Sequence, residues 1–215
     1  MPGTVAEELE LQIEHGHGGV PPSRYMDGGG DRGGSRPIPR RAYITGITML
    51  LGAITMFFMA LASAYFVRGG YDDWRSFALP RILWANTVIL LLSSVTVEMA
   101  RKQLARGMVA AFRNYWGLST GLGLLFVGGQ LIAWRQFRAA GLFVNTNPSS
   151  SFFYLFTAAH GLHLLGGIVA LLYVAFRSWN RARTTQPIAA EITAIYWHFL
   201  DGLWVFLLLL LSLGR

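Results

Sequence analysis

Five long apolar segments dominate this 215-residue chain and restrict its fold more than any other feature. They run at about 43–67, 81–100, 115–134, 152–176 and 192–213. Each has the roughly 20 residues that a helix needs to cross a hydrocarbon core of about 30 Å. Their apolar residues are continuous rather than alternating, and a backbone in lipid must satisfy its own hydrogen bonds, so barrel strands are excluded. The sequence therefore predicts an all-α integral membrane protein with a bundle of five transmembrane helices.

The amount and the kind of polar residues agree with that prediction. Charged residues make up 13% of the chain, about half the share of a soluble domain, which excludes a water-soluble globule. The net charge of +7 comes from residues at helix ends and in the N-terminal region, so it indicates topology and no nucleic acid partner. Because the chain has no cysteine, it can form neither a disulfide framework nor a thiolate metal site.

The N-terminal region differs in composition from the rest of the chain. Residues 1–42 contain 11 of the 29 charged residues, nine of the 25 glycines and five of the eight prolines. Such a segment cannot bury enough apolar surface to offset the entropy of ordering. We therefore predict a flexible cytoplasmic tail over residues 1–41 and a transmembrane domain over residues 42–215.

Lysine and arginine determine the predicted orientation. The tail and the second and fourth connections hold 12 of these residues, and the opposite side holds six. This excess places the N-terminus inside and the C-terminus outside. Trp116 and Trp134 fall at the ends of spans, as interfacial anchors do, whereas Trp197 and Trp204 lie deeper and are expected to pack between helices.

Ionisable side chains within or at the ends of spans are candidate functional residues, because charge is costly in lipid. They are Glu98, His160, His163, Glu191, His198 and Asp201. The two histidines of the fourth helix share a face, because they are three residues apart. His198 and Asp201 share a face of the fifth helix for the same reason, and Glu191 extends that stripe toward the inner surface.

Two contacts follow from these positions. His163 and Asp201 lie at a similar depth on neighbouring helices, which predicts that they meet in the membrane. Glu98 lies near the inner end of its helix with Arg101 three residues further along, which favours an intrahelical pair or an interfacial anchor over a functional carboxylate.

The sequence leaves three interpretations of this polar set open. Haem ligation would need His198 with His160 or His163, but their depths match poorly. A relay through Glu191, His198, Asp201 and His163 could carry protons, as chains of titratable groups do in pumps. The third interpretation, which the residue pattern favours, is that these groups hydrogen-bond one another and fix the fourth helix to the fifth.

Two long motifs in the last two helices resemble a known family. SSFFYLFTAAHGLHLLGG (Ser150–Gly167) and AEITAIYWHFLDGLWVFLLLLL (Ala190–Leu211) are similar to the corresponding helices of subunit III of the haem–copper terminal oxidases. LPRILWANTVILLLSSVTVEMAR and the AYFVR end of the first helix also resemble that family. The resemblance covers about residues 42–213.

The resemblance implies a non-catalytic subunit with no cofactor of its own, which packs on subunit I in a complex that also contains subunit II. Haem and copper are then expected in those partner subunits. Bound phospholipid, support of proton uptake and turnover in aerobic electron transport, and a bacterial cytoplasmic membrane location are further implications. A quinol oxidase or nitric oxide reductase accessory subunit stays open as an alternative, as does a stand-alone proton-coupled channel or transporter.

The chain departs from the family pattern at two places. The seven-helix mitochondrial form has two helices ahead of these five, so the chain resembles the shorter bacterial type. Many members also carry a buried glutamate in the first helix where this chain has Ile54. The role of that carboxyl group therefore does not carry over to this chain.

Overall fold

The computed structural model describes residues 39–71, 81–139, 141, 143, 148–180 and 187–213. Within these residues it contains five α-helices and no strand, which confirms the predicted fold class. They are α1 (Arg40–Gly69), α2 (Arg81–Ala105), α3 (Val109–Ala139), α4 (Pro148–Trp179) and α5 (Pro187–Leu213). The predicted tail lies outside the described residues, except that Arg40 and Arg41 form the first turn of α1.

All five helices are long and apolar enough to cross a membrane. They contain 25 to 32 residues and extend past the predicted ends of the spans by up to six residues. The predicted ends marked the limits of apolar sequence, whereas the helical hydrogen bonds continue into the polar interface. α4 and α5 begin at Pro148 and Pro187, because the first helical position does not need the N–H that proline lacks.

A tight turn joins α2 to α3 and makes them antiparallel neighbours. Gly107 has φ of +76°, a left-handed conformation that suits glycine at the end of a helix. The N–H groups of Gly107 and Met108 donate to the carbonyl oxygens of Leu104 and Gln103, both at 3.0 Å. These bonds satisfy carbonyl groups that the end of α2 would otherwise leave unpaired.

Four of the helices form a closed ring, and α1 lies outside it. α2 contacts α3, α3 contacts α4, α4 contacts α5, and α5 returns to α2. α1 contacts only α4 and α5 among the described helices. In the most apolar part of each helix, 56% of the α5 residues are buried but only 17% of the α1 residues. α5 is thus the central helix of the bundle, and most of the α1 surface is open.

Trp197 of α5 occupies the centre of the ring. Its side chain is fully buried and lies against Gly123 of α3 and Gly167 of α4, where a Cβ atom would come within 2.8 Å and 3.1 Å of the indole. Its Nε1–H donates to Ser93 Oγ of α2 at 2.8 Å. One side chain therefore contacts all three of the other ring helices, as predicted from its depth.

Three more indoles join neighbouring helices through hydrogen bonds. Trp204 of α5 donates to Thr87 Oγ1 of α2 at 3.0 Å, which agrees with its predicted packing between helices. Trp116 of α3 donates to the Leu171 carbonyl of α4 at 2.9 Å. The prediction of Trp116 as an interfacial anchor is therefore wrong, because its ring is fully buried against α4. Trp134, also from α3, donates to the Thr157 hydroxyl at 3.2 Å.

Gly123→Ala tests the close approach of Trp197. The new Cβ would meet the far edge of the indole at 2.8 Å, so we expect a loss of about 1–3 kcal/mol in stability from overpacking. The matched control is Gly121→Ala, where a Cβ would meet nothing within 4 Å and helix propensity should add up to about 1 kcal/mol. Unfolding in mixed micelles would measure both. Equal stability of the two variants would contradict the predicted contact.

Candidate functional site

A row of polar side chains connects α2 and α5 in the predicted inner half of the membrane. Glu98 Oε2 accepts a bond from the Arg101 guanidinium at 3.0 Å, which confirms the predicted intrahelical pair. The same oxygen lies 3.8 Å from Nε2 of His198. The other ring nitrogen of His198, Nδ1, lies 2.5 Å from the Ser94 hydroxyl of α2. We call Glu98, His198, Ser94 and Asp201 the inner ladder.

Asp201 is the deepest member of the inner ladder. It is only 2% exposed, and it lies one helical turn from His198. The Ser94 hydroxyl of α2 is directed at His198. Neither carboxyl oxygen has a hydrogen-bond partner of normal geometry among the described residues. The carboxyl group therefore has unused hydrogen-bonding capacity deep in the bundle.

The predicted contact between His163 and Asp201 is wrong. His163 Nδ1 pairs with the Ala159 carbonyl of its own helix at 2.8 Å. Its ring lies against Phe57 and Phe58 of α1, with ring centres 6.3 Å and 5.7 Å away. Similar depth did not bring the two residues together, because α4 is rotated so that His163 faces α1.

Glu191 pairs with the first helix of the bundle. Its carboxylate accepts bonds from Arg40 of α1, at 2.5 Å to Oε1 and 3.2 Å to Oε2. Glu191 also lines a cavity with Arg101, the partner of Glu98, so its extension of the His198 stripe toward the inner surface stays a prediction. The sequence had assigned its α1 partner, Arg40, to the tail. This ion pair ties the first helix of the bundle to the last.

His160 occupies a third environment. Its ring is 1% exposed, packs 5.2 Å from the Trp204 ring and lies 6.5 Å from Phe126. Neither ring nitrogen has a hydrogen-bond partner among the described residues. The six predicted site residues therefore separate into the inner ladder, the Arg40–Glu191 pair, His163 against α1, and His160 between α3, α4 and α5.

Serine and glutamine side chains complete these environments, although the predicted set contained only ionisable residues. Ser94 connects His198 of α5 to α2, and Ser93 receives the indole of Trp197. Gln130 of α3 is buried with His160, and its amide atoms also lack partners among the described residues. A search of the spans for uncharged polar residues, as well as ionisable ones, would have added Ser93, Ser94 and Gln130 to the predicted set.

The histidine and carboxylate side chains of these environments are the groups that could ligate a metal or exchange protons. No group of three metal-ligating side chains is present in the part of the chain that the structure describes. His160 and His198, a possible haem-ligand pair from the sequence, have different surroundings: His160 packs on Trp204, and His198 bonds to Ser94. Glu98, His198 and Asp201 are titratable groups of the kind that forms proton relays in membrane proteins.

Comparison with known proteins shows what the chain resembles. Residues 33–213 match the family described as cytochrome c oxidase subunit III. The chain belongs to the cytochrome c oxidase subunit III family. Both motifs and every member of the inner ladder lie within the matched residues. Membership places this chain among the multi-pass membrane proteins and implies a complex with other oxidase subunits.

Individual relatives agree with the family match. A cytochrome c oxidase subunit 3 of Thermostichus vulcanus is 30% identical over 177 residues, which cover 78% of this chain and 85% of the relative. A protein of Synechocystis with the same name is 27% identical over 175 residues, covering 78% and 74%. A probable cytochrome c oxidase subunit 3 of Mycobacterium tuberculosis is 32% identical over 120 residues, covering 55% and 59%.

Two histidine variants test the different environments within this subunit III. His198→Phe removes the links to Ser94 and Glu98 between two helices, so we expect a loss of about 0.6–1.7 kcal/mol in bundle stability. His163→Phe keeps a ring against Phe57 and Phe58 and removes only a bond within α4, so its stability should change little. Unfolding in mixed micelles measures both. A larger loss from His163→Phe would show that His163 is the interhelical group.

Proposed function

We propose that this chain is a non-catalytic subunit III of a respiratory cytochrome c oxidase in a bacterial cytoplasmic membrane. In this proposal it packs on the haem–copper subunit I, in a complex with subunit II, and it binds phospholipid and supports proton uptake. The observation that carries the proposal is the family match over residues 33–213. Haem and copper belong to the partner subunits, where they supply electron transfer and oxygen reduction.

The open surface of the bundle supports packing against a partner. α1 contacts only α4 and α5 within the described part of the chain. Its outer face is rich in large flexible side chains, including Met49, Met56 and Phe66, which are 71%, 75% and 66% exposed. Methionine adapts to the shape of an apposed surface. α1 is therefore the helix best suited to lie against another subunit or its lipids.

Purification in mild detergent tests the assignment to an oxidase. We expect the tagged chain to comigrate with subunits that carry haem absorbance, and the separated chain to lack that absorbance. Comigration after a wash at high salt would exclude a contact that rests on surface charge alone. A chain that purifies as a homo-oligomer without haem-bearing subunits, and that conducts protons in vesicles, would contradict the proposal and favour a stand-alone channel.

The inner ladder supports the proposed role in proton uptake. Glu98 and His198 side chains are 39% and 35% exposed, so protons can enter the ladder from the predicted inner surface. Ser94 and His198 lead from there toward the buried Asp201. Ile54, which stands where many relatives carry a carboxyl group, is buried and apolar here. We therefore assign the proton-exchanging groups to α2 and α5.

Glu98→Gln and Asp201→Asn test this role in the assembled complex. Each keeps the shape of the side chain but removes a proton-exchanging group, so we expect proton uptake during turnover to slow by about tenfold, equivalent to about 1.4 kcal/mol in barrier height. His163→Phe is the control, because His163 lies outside the ladder. Full assembly with unchanged uptake in both ladder variants would show that the ladder is only structural.

A further inference from the structure

A cavity of about 300 Å³ lies between α3 and α4 in the predicted outer half of the membrane. Residues of both helices line it, together with Trp204 of α5. Leu131 of α3 and Leu162 and Leu165 of α4 also line it, and all three are exposed on the membrane-facing surface of the bundle. A molecule dissolved in the bilayer can therefore reach the cavity from the side.

Two buried polar side chains, one from each helix, line this cavity without hydrogen-bond partners. His160 of α4 is 1% exposed and Gln130 of α3 is 8% exposed. Neither ring nitrogen of His160 and neither amide atom of Gln130 has a partner among the described residues. A neutral imidazole offers a donor and an acceptor, and an amide offers both as well. Because buried polar groups are costly when unpaired, the cavity suits an occupant that both donates and accepts.

Water alone does not match this cavity. Its volume corresponds to about ten water molecules at about 30 Å³ each, and an ordered water needs about two to four polar partners. The other two hydrogen-bonding side chains that line it, Thr157 and Trp134, bond to each other. His160 and Gln130 could hold only a few waters, and apolar walls stay dry. The matching occupant is therefore a mostly apolar molecule with a few polar groups.

Aromatic side chains give the cavity walls that suit a planar ring. Phe126, Trp134 and Trp204 line it. The rings of Phe126 and Trp204 meet edge to face, with centres 5.1 Å apart and planes at 87°, so a flat ring can pack on the face of one and the edge of the other. A hydroquinone is such a ring. Its two hydroxyl groups lie at opposite edges, and each can both donate and accept a hydrogen bond.

We propose that the α3–α4 cavity binds the headgroup of a membrane-dissolved quinol. One hydroxyl group bonds to His160 on one wall and the other bonds to Gln130 on the opposite wall. The ring lies against Phe126 and Trp204, and the apolar tail leaves past Leu162 into the lipid. The site goes beyond the proposed function, which assigns no ligand to this cavity. The proposal concerns binding alone and includes no electron transfer.

Photolabelling of the purified complex that contains the full chain tests the site. The probe is an azido derivative of decylubiquinol, used under anaerobic conditions that keep it reduced. We expect label on peptides that contain residues 126–134 and 157–165, and we expect unlabelled decylubiquinol to compete with it. The dimethyl ether of decylubiquinol keeps the ring and the tail but donates no hydrogen bond. It should compete about thirtyfold less well, equivalent to about 2 kcal/mol at about 1 kcal/mol for each lost bond.

Three variants alter the cavity itself. His160→Phe and Gln130→Leu should each weaken decylubiquinol binding about fivefold, equivalent to about 1 kcal/mol for a lost hydrogen bond. Each also removes an unpartnered polar group from apolar surroundings, so the stability of the ligand-free bundle should stay the same or rise. A purely structural role would lower that stability instead. Gly161→Leu should block binding, because Gly161 lines the cavity and a Cβ atom there meets nothing within 4 Å.

Two controls match these variants. His163→Phe is the control for His160→Phe, because His163 lies one turn away on the same helix with its ring against Phe58 of α1. Gly121→Leu is the control for Gly161→Leu, because a Cβ atom at Gly121 also meets nothing within 4 Å and this residue does not line the cavity. Both controls should keep the labelling and the competition of the wild-type complex.

Three results would overturn the site. The first is label spread over all five helices without competition by decylubiquinol, as expected if only water or lipid tails enter the cavity. The second is equal competition by decylubiquinol and its dimethyl ether, or equal binding in all variants. The third is loss of haem-bearing subunits from Gly161→Leu but not from Gly121→Leu, which would make the mouth of the cavity a protein interface.

Discussion

The bundle depends on hydrogen bonds that cross between helices through the indoles of tryptophan. In lipid the apolar surfaces of two helices gain little by leaving solvent, so close packing and polar contacts must hold them together. Trp197 and Trp204 fix α5 to α2, and Trp116 and Trp134 fix α3 to α4. Each indole adds a large ring to the contact as well as a directed N–H donor. Together these four side chains hold two of the four interfaces of the ring.

The sequence predicted the helices and their local contacts but not how each helix is turned. Glu98 and Arg101 met as expected, because their spacing along one helix fixes the distance between them. His163 and Asp201 did not meet, because depth leaves the rotation of a helix about its axis undetermined. That rotation depends on how the helix surfaces fit together, for example at the glycines that leave room for the Trp197 ring. Such a fit leaves no signal in the hydrophobic periodicity of the sequence. The Arg40–Glu191 pair was also hidden, since its members are 151 residues apart.

The separation of the polar residues into different environments gives the subunit distinct chemical regions. The inner ladder combines partly exposed groups with a buried carboxyl group, an arrangement suited to proton exchange with one side of the membrane. On the other side, the buried side chains of His160 and Gln130 line one cavity and have no hydrogen-bond partners among the described residues. Trp204 lies between these regions, bonded to Thr87 and stacked near His160. A rigid aromatic centre thus separates the polar groups of the two leaflets.

The attachment of α1 sets the order in which the bundle can be completed. Of the five described helices, α1 is translated before its packing partners, because its ion-pair partner Glu191 lies on α5. Its aromatic contact with His163 must also wait for α4. The contacts that close the ring of α2 to α5 do not involve α1. The packing of α1 therefore depends on helices that are synthesised after it, whereas the ring can close without it.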